Sequence, residues 1–320
     1  MTKDSTIFIA GARGMVGSAI ARALKKAGHK NLLTPNREEL DLTRQLDVED
    51  FFKSNNIETV IDCAAKVGGI HSNNLYRADF IYSNLQIQNN VIHSAYQHGV
   101  KKLLFLGSSC IYPKFTDQPI KEEYLLRAPL EYTNEPYSIA KIAGIKMCES
   151  YFKQYGCNFL SLMPCNQYGP NDNFHPENSH VLPALLRKFH EAYVYNYKTV
   201  KIWGTGRAKR EFLHVDDLAS ACLTVLDKVE AEDMYGEGIS HFNAGYGEDI
   251  SIAELAENIK ETTKYSGDIE FEIDKPEGTL RKVMDISRLK KYGWEPQIPL
   301  KEGLSSTYEW FKNAKEVRSI

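Results

Sequence analysis

The sequence predicts an α/β protein, a doubly wound parallel sheet on the amino-terminal side with a smaller carboxy-terminal α/β lobe. Three observations carry that expectation. Short apolar runs alternate with helix-period segments between residues 6 and 163, the rhythm of β-α-β units. A glycine-rich turn, Gly11-Ala12-Arg13-Gly14-Met15-Val16-Gly17, separates the first apolar run from the first helical pattern. Beyond Tyr168 the alternation weakens, and loops rich in Pro, Asn and Gly take over.

The elements follow in order. Residues 6–10 form the first apolar run, and residues 18–27 have helical spacing that stops at Gly28, a fitting C-cap. A short apolar stretch at 31–34 precedes a helix-like segment at 48–54. Strands recur at 59–63 and 102–107, with a helical pattern at 83–98 between them. Residues 137–155 read as a long helix and 158–163 as the next strand. A first domain over residues 1–170 and a second over 171–320 are expected, with 211–243, helix plus strand, returning to the first.

Composition bounds the function. A chain of 320 residues has room for two lobes, and 42% hydrophobic with 25% charged residues is ordinary for a globular protein. The net charge of −3 offers no broad attraction to nucleic acid or an anionic membrane, so an anionic ligand must be held by local basic residues. The start, Met-Thr-Lys-Asp-Ser, lacks a secretory apolar run, and no stretch reaches the ~20 apolar residues of a membrane span. Cysteines 63, 110, 148, 157, 165 and 222 are scattered without a Cys-x-x-Cys pair, which argues against disulfides and a zinc site. A cytoplasmic, metal-free protein with no nucleic-acid or membrane partner is expected.

The glycines of the turn allow a tight bend and close approach of a pyrophosphate to backbone N–H groups at a helix N-terminus, the Rossmann mode of holding a dinucleotide. The plain alternative is a structural turn. The second strand ends in Pro35-Asn36-Arg37, with no acidic residue for a ribose 2′-hydroxyl. Arg13 and Arg37 suit a 2′-phosphate instead, so NADP is expected, unless both are ordinary surface arginines. Asp41-Leu42 either flanks the adenine or caps a helix. Tyr137 and Lys141 lie four apart and share a helix face. A phenol ionises near ~10, and a neighbouring ammonium brings that toward the working range, which makes Tyr137 the expected proton-transfer residue. Ser108 closes a strand and is positioned to hydrogen-bond a substrate oxygen.

Several motifs then bring a family into view. Ala64-Ala65-Lys66-Val67-Gly68-Gly69-Ile70, Leu106-Gly107-Ser108-Ser109-Cys110-Ile111-Tyr112-Pro113-Lys114 and Asn134-Glu135-Pro136-Tyr137-Ser138-Ile139-Ala140-Lys141 resemble those of the extended short-chain dehydrogenase/reductases, and more closely the GDP-L-fucose synthases. So do Asp172-Asn173-Phe174-His175-Pro176, Ser179-His180-Val181 and Arg210-Glu211-Phe212-Leu213-His214-Val215-Asp216-Asp217. The likeness covers almost the whole chain. It implies C3/C5 epimerisation of a GDP-4-keto-6-deoxy sugar followed by NADPH-dependent reduction at C4, in a homodimer. Cys110 and His180 match the proton-exchanging pair, against the plain alternatives of a small buried hydrophobe and a packing histidine.

The same resemblance assigns residues to each ligand. Leu106, Gly107, Pro164, Asn166 and His180, with Ala64, Ala65 and Lys66, fall on the cofactor side. Lys188, Trp203, Arg210 and, in a later loop, Glu277 fall where the GDP-sugar is held, with Asn166 beside the sugar. Ordinary packing and solvation are the alternative for Lys188 and Trp203. Cys165, Gln167 and the tyrosines at 193, 195 and 197 depart from the family pattern near the expected substrate entrance. Two other readings stay open: action on a GDP-deoxyheptose or dideoxyhexose, including reduction alone, and a non-catalytic dinucleotide sensor.

Overall fold

The computed structural model describes residues 1–175, 178–275, 279–314 and 317. In chain order, β1 (Ile7–Ala10), α1 (Met15–Lys26), β2 (Leu32–Leu33), α2 (Gln45–Ser54) and β3 (Thr59–Asp62) open the molecule. The short α3 (Ile70–Leu75), α4 (Arg77–Gln97), β4 (Lys102–Leu106), α5 (Glu135–Tyr155) and β5 (Phe159–Pro164) follow. Next come β6 (Asn166–Tyr168), α6 (Val181–Val194), β7 (Thr199–Trp203), β8 (Lys209–Arg210), β9 (Phe212–His214) and α7 (Val215–Lys228). Then α8 (Ala231–Gly236), β10 (Phe242–Ala244), β11 (Ile250–Ser251), α9 (Ile252–Thr263) and β12 (Asp268–Glu272) precede the final β13 (Arg281–Lys282), α10 (Ser287–Lys291) and α11 (Leu300–Asn313).

Six strands make one parallel sheet in the order β10-β5-β4-β3-β1-β2. Every residue of β1, β3, β4 and β5 is buried, as a sheet covered on both faces demands. The chain leaves β1 toward β2 and leaves β3 and β4 the opposite way, so right-handed crossovers set α1 and the α4/α5 pair on opposite faces. α7 packs beside α1, and α2 beside α4. The α/β doubly wound class read from sequence is the one observed.

A second, smaller core lies beyond this sheet. Tyr168, Phe174, Leu185, Leu186, Phe189, Leu255, Ile259 and Leu304 share it. The chain crosses between the two bodies more than once. Residues of α7 and β10, and also Met284, Ile286, Leu289 and Trp294, belong to the first core.

One close approach sets up the site. A side chain at Gly144 would run into the Phe105 ring, so the glycine lets α5 settle directly on β4. Pro136 occupies the first turn of α5, and Gly156, at φ +70°, closes it in the left-handed conformation. This close seat carries the amino-terminal turns of α5 to the carboxyl ends of β4 and β5. Burying Phe105 completely contributes roughly 2–3 kcal/mol to that contact.

Candidate active site

A cavity of about 1210 Å³ lies along the carboxyl ends of the sheet strands and is lined from both cores. At one wall the chain turns from β1 into α1. A side chain at Gly17 would strike the Gly11 carbonyl, and Gly11 itself sits at φ +81° with a hypothetical Cβ 2.9 Å from Ala64 backbone. Only glycine fits either position. Gly14 is the N-cap of α1, no side chain caps that end, and the first turn contains no acidic residue. The Gly14 N–H donates to the Gly11 carbonyl at 3.0 Å, while Met15 and Val16, in the uncapped first turn, line the cavity, a cradle of the shape and polarity a diphosphate needs.

The neighbouring walls come from the expected residues. Arg13 and Arg37 line the cavity with exposed side chains, and Leu42 and Asp41 lie beside them. Asp41 accepts from the Thr43 hydroxyl at 2.7 Å and the Thr43 N–H at 3.0 Å, and the hydroxyl holds its carboxyl below the usual range. The residue thus shapes the turn before α2 as well as the cavity. Ala64, Ala65 and Lys66 continue the wall, but the Lys66 ammonium is paired with Asp79 at 3.0 Å.

Ser108, Cys110, Tyr137, Lys141 and His180 meet at the centre, with Leu106, Gly107, Pro164 and Asn166 around them. Ser108 caps a short 3-10 turn, its hydroxyl accepting from the Cys110 N–H at 3.3 Å. The Ser138 hydroxyl donates to the Cys110 carbonyl at 2.8 Å, which fastens that turn to α5. His180 is the N-cap of α6 and opens to the cavity. The loop before it is tied to the segment that continues the Ala64–Lys66 wall: the Gly69 N–H donates to the Asn178 carbonyl at 2.8 Å, and the Ser72 hydroxyl meets Asn178 Oδ1 at 2.9 Å. Enclosure by protein lowers the His180 pKa, and the positive end of α6 acts in the same direction.

The Tyr137 phenol and the Lys141 ammonium meet different surroundings. Burial lifts the Tyr137 phenol above its ordinary value, a charge on Cys110 lifts it further, and the Ser108 hydrogen bond opposes both. Lys141 makes its hydrogen bond elsewhere. Its long stem carries the ammonium down to the sheet, where it donates to the Leu106 carbonyl at 2.8 Å and lies 4.6 Å above the Phe105 ring. Burial depresses its pKa, while Asp62 and Cys63 hold it up.

The far wall is basic. Lys188, Trp203 and Arg210 all line the cavity. Trp203 is 49% exposed, so packing alone does not account for it. The Lys188 ammonium donates to the Lys201 carbonyl at 3.3 Å, and burial lowers its pKa. Glu277 lies outside the described residues. Residues not anticipated from sequence join this wall: Lys282 and Arg281 on β13, which runs parallel to β8 and pairs Lys282 with Arg210. Two basic dipeptides, Lys209-Arg210 and Arg281-Lys282, in a chain of net charge −3 were the available signal. Among the described residues no cluster of His, Cys, Asp or Glu is built to hold a metal, and no helix is long and apolar enough to cross a membrane.

Residues 7–245 match the model of the NAD dependent epimerase/dehydratase family. The chain is 59% identical to GDP-L-fucose synthase 1 of Arabidopsis thaliana, over 97% of this chain and 94% of that one. It is 54% identical to the GDP-L-fucose synthase of Escherichia coli, over 95% and 96%. A GDP-mannoheptose C4 reductase from Campylobacter jejuni, solved with NADP bound, superposes with a TM-score of 0.89 at 41% identity, covering 98% of this chain and 100% of the other.

Proposed function

The chain belongs to the NAD dependent epimerase/dehydratase family, and we propose that it converts a GDP-4-keto-6-deoxymannose-type sugar to a GDP-L-fucose-type product with NADPH. One observation carries the reading. A single cavity is lined by a glycine cradle, by Ser108, Cys110, Tyr137 and His180, and by basic residues, the three kinds of wall that a cofactor, a keto sugar and a nucleoside diphosphate require. The two fucose synthases at 59% and 54% identity support the substrate, and the NADP-bound C4 reductase supports the cofactor.

NADPH held at the cradle would supply the hydride for the C4 ketone. The protein manages the protons. The ketone acidifies the C–H bonds at C3 and C5; Cys110 and His180 remove a proton from one face and return one to the other, inverting each centre. Ser108 and Tyr137 donate hydrogen bonds to the C4 oxygen while negative charge builds on it. Tyr137 then gives up its phenolic proton to that oxygen, completing the alcohol. A phenol lifted by burial is protonated at neutral pH, the state a donor needs. Lys188, Arg210 and Lys282 meet the diphosphate, and the exposed Trp203 offers a face to base or sugar.

In this reading residues 1–170, with 211–243, hold the cofactor and residues 171–320 hold the nucleotide sugar. Assembly as a homodimer through α4 and α5 belongs to it, and the exposed Tyr82 and Tyr155 on those helices support that face. A second reading, reduction of a GDP-heptose at C4 alone, is favoured by the likeness to the heptose C4 reductase. Turnover in deuterated water separates the two. The proposed function places solvent deuterium at C3 and C5 of the product, and Cys110→Ser, with its less acidic hydroxyl, abolishes or greatly slows that exchange. Deuterium at neither carbon refutes epimerisation and leaves the reductase.

A further inference from the structure

An aspartate stands where an apolar residue belongs. Asp62 ends β3 in the run Thr59-Val60-Ile61-Asp62 and is completely buried. Its Oδ1 accepts one long hydrogen bond, from the Ala64 N–H at 3.2 Å, and Oδ2 has no hydrogen-bond partner. Such an under-satisfied carboxylate is costly to bury unless an opposite charge compensates it. The register supplies one. Asp62 pairs with Phe105 across β3 and β4, so their side chains share a sheet face, and the Lys141 ammonium lies over that same ring. Lys141 is 3% exposed, and its one hydrogen bond goes to a neutral carbonyl.

We propose that Asp62 is the buried counter-charge of Lys141 and a positioning residue for the Tyr137 centre. Lys141 is the cation that bears on Asp62, and Asp62 the carboxylate that bears on Lys141. Of the other titratable groups facing the pair, Cys63 lies next in sequence, Cys148 on α5 and Cys222 on α7 behind Cys63. Burial lifts all three thiols, Cys148 up to about 12, so they are uncharged at neutral pH. Tyr137, one helical turn before Lys141, is likewise neutral. Burial raises the Asp62 carboxyl to about 6 against the pull of Lys141, which leaves it ionised at neutral pH. A compensated ammonium stays charged and seated on Leu106 and Phe105. An uncompensated one sheds its proton.

The effect on turnover rests on the reading of Tyr137 and Lys141 given above, whereas the pairing itself does not. Asp62→Asn keeps the oxygen that receives the Ala64 N–H and removes only the charge, and Asp62→Leu is the apolar control. In ligand-free protein labelled at lysine Cε, the Lys141 resonance, identified by its loss in Lys141→Met, reports the ammonium directly. Both Asp62 variants should move its titration to lower pH by about one unit or more, tenfold in proton affinity. The alkaline limb of kcat should move with it, while activity at acid pH recovers toward that of the unaltered enzyme. In a Lys141→Met background, Asp62→Asn should add no further loss. An unmoved Lys141 titration overturns the pairing. A moved titration with an unmoved kcat profile, or an equal extra loss without Lys141, overturns the positioning role. Full turnover by Lys141→Met instead sinks the catalytic reading of Lys141 and leaves the pairing standing.

Discussion

Replacing Arg37 by alanine tests how the cofactor is chosen. The turn that carries Arg37 is fixed before any ligand arrives: Asn36 Oδ1 accepts the N–H groups of Glu38 and Glu39 at 2.8 and 2.9 Å, and Glu39 accepts the Asn36 N–H at 2.8 Å. Arg37 itself makes no ion pair among the described residues, so its charge is available to a 2′-phosphate. A hydrogen bond to a charged group is worth roughly 1.5–3 kcal/mol, and solvent screening at an exposed guanidinium puts this one near the lower end. A loss of about 1.5 kcal/mol is a little over tenfold in Kd. Titration calorimetry with NADPH and NADH should therefore show Arg37→Ala weakening NADPH about tenfold and leaving NADH unchanged. The gap should also narrow as salt rises, because both partners are exposed. Equal affinities in the unaltered protein, or equal weakening of both cofactors by the substitution, would refute the argument.

Tyr137→Phe keeps the ring that meets Phe80 edge-on at 6.4 Å, so folding and NADPH binding should survive while C4 reduction falls by at least a hundredfold, the scale of a lost general acid. Near-normal reduction would give the proton-donor role to another group. Glu211 makes a stability prediction, since burial raises its carboxyl from 4.5 to about 7 although it accepts the N–H groups of Gly247 and Met284. The folded protein holds this proton where the unfolded chain has lost it. Its contribution is full below pH ~4.5 and is lost as pH rises through about 7, on the order of 3 kcal/mol in all. Denaturant midpoints between pH 5 and 8 should fall with rising pH, and Glu211→Gln should flatten that slope in part, Asp62 contributing a slope of the same sign. A slope untouched by Glu211→Gln would show that the carboxylate is charged in the folded state after all.

The sheet was legible because its strands are buried on both faces and so appear as unbroken apolar runs. β1, β3, β4 and β5 lie within a residue or so of the runs at 6–10, 59–63, 102–107 and 158–163. α5 begins two residues before Tyr137, at Glu135, and the Pro136 that follows reads equally well as a loop. β8, β11 and β13, two residues each, were beyond reach, since a pair of residues has no period and only tertiary contacts make it a strand. Lys282 was missed with β13. The four-residue spacing of Tyr137 and Lys141 correctly gives a shared helix face. It does not say where a four-carbon stem ends, and here the ammonium turns to the sheet, not to the phenol. Asp62 was visible as a charge inside an apolar strand, but the strand alone does not reveal what it faces.

The cations around the cavity divide by burial, and the division matches the work the proposed function gives them. Arg13 and Arg37 are exposed and Lys188 and Lys282 half-buried; a cation that is to receive a ligand's phosphate gains from meeting it with no fixed anion in contact. Lys141 is different in kind. It is buried before any ligand binds, and so in the ligand-free protein must be stabilised by the protein alone. A carboxylate set into β3 meets that need at the cost of carrying a buried anion through folding. Phe105 and the Leu106 carbonyl, both neutral, do not substitute for it. The same close seating of α5 at Gly144 that brings Tyr137 to the cavity presses Lys141 against the sheet. The chain therefore cannot have the one without providing for the other, and Asp62 is where it does so.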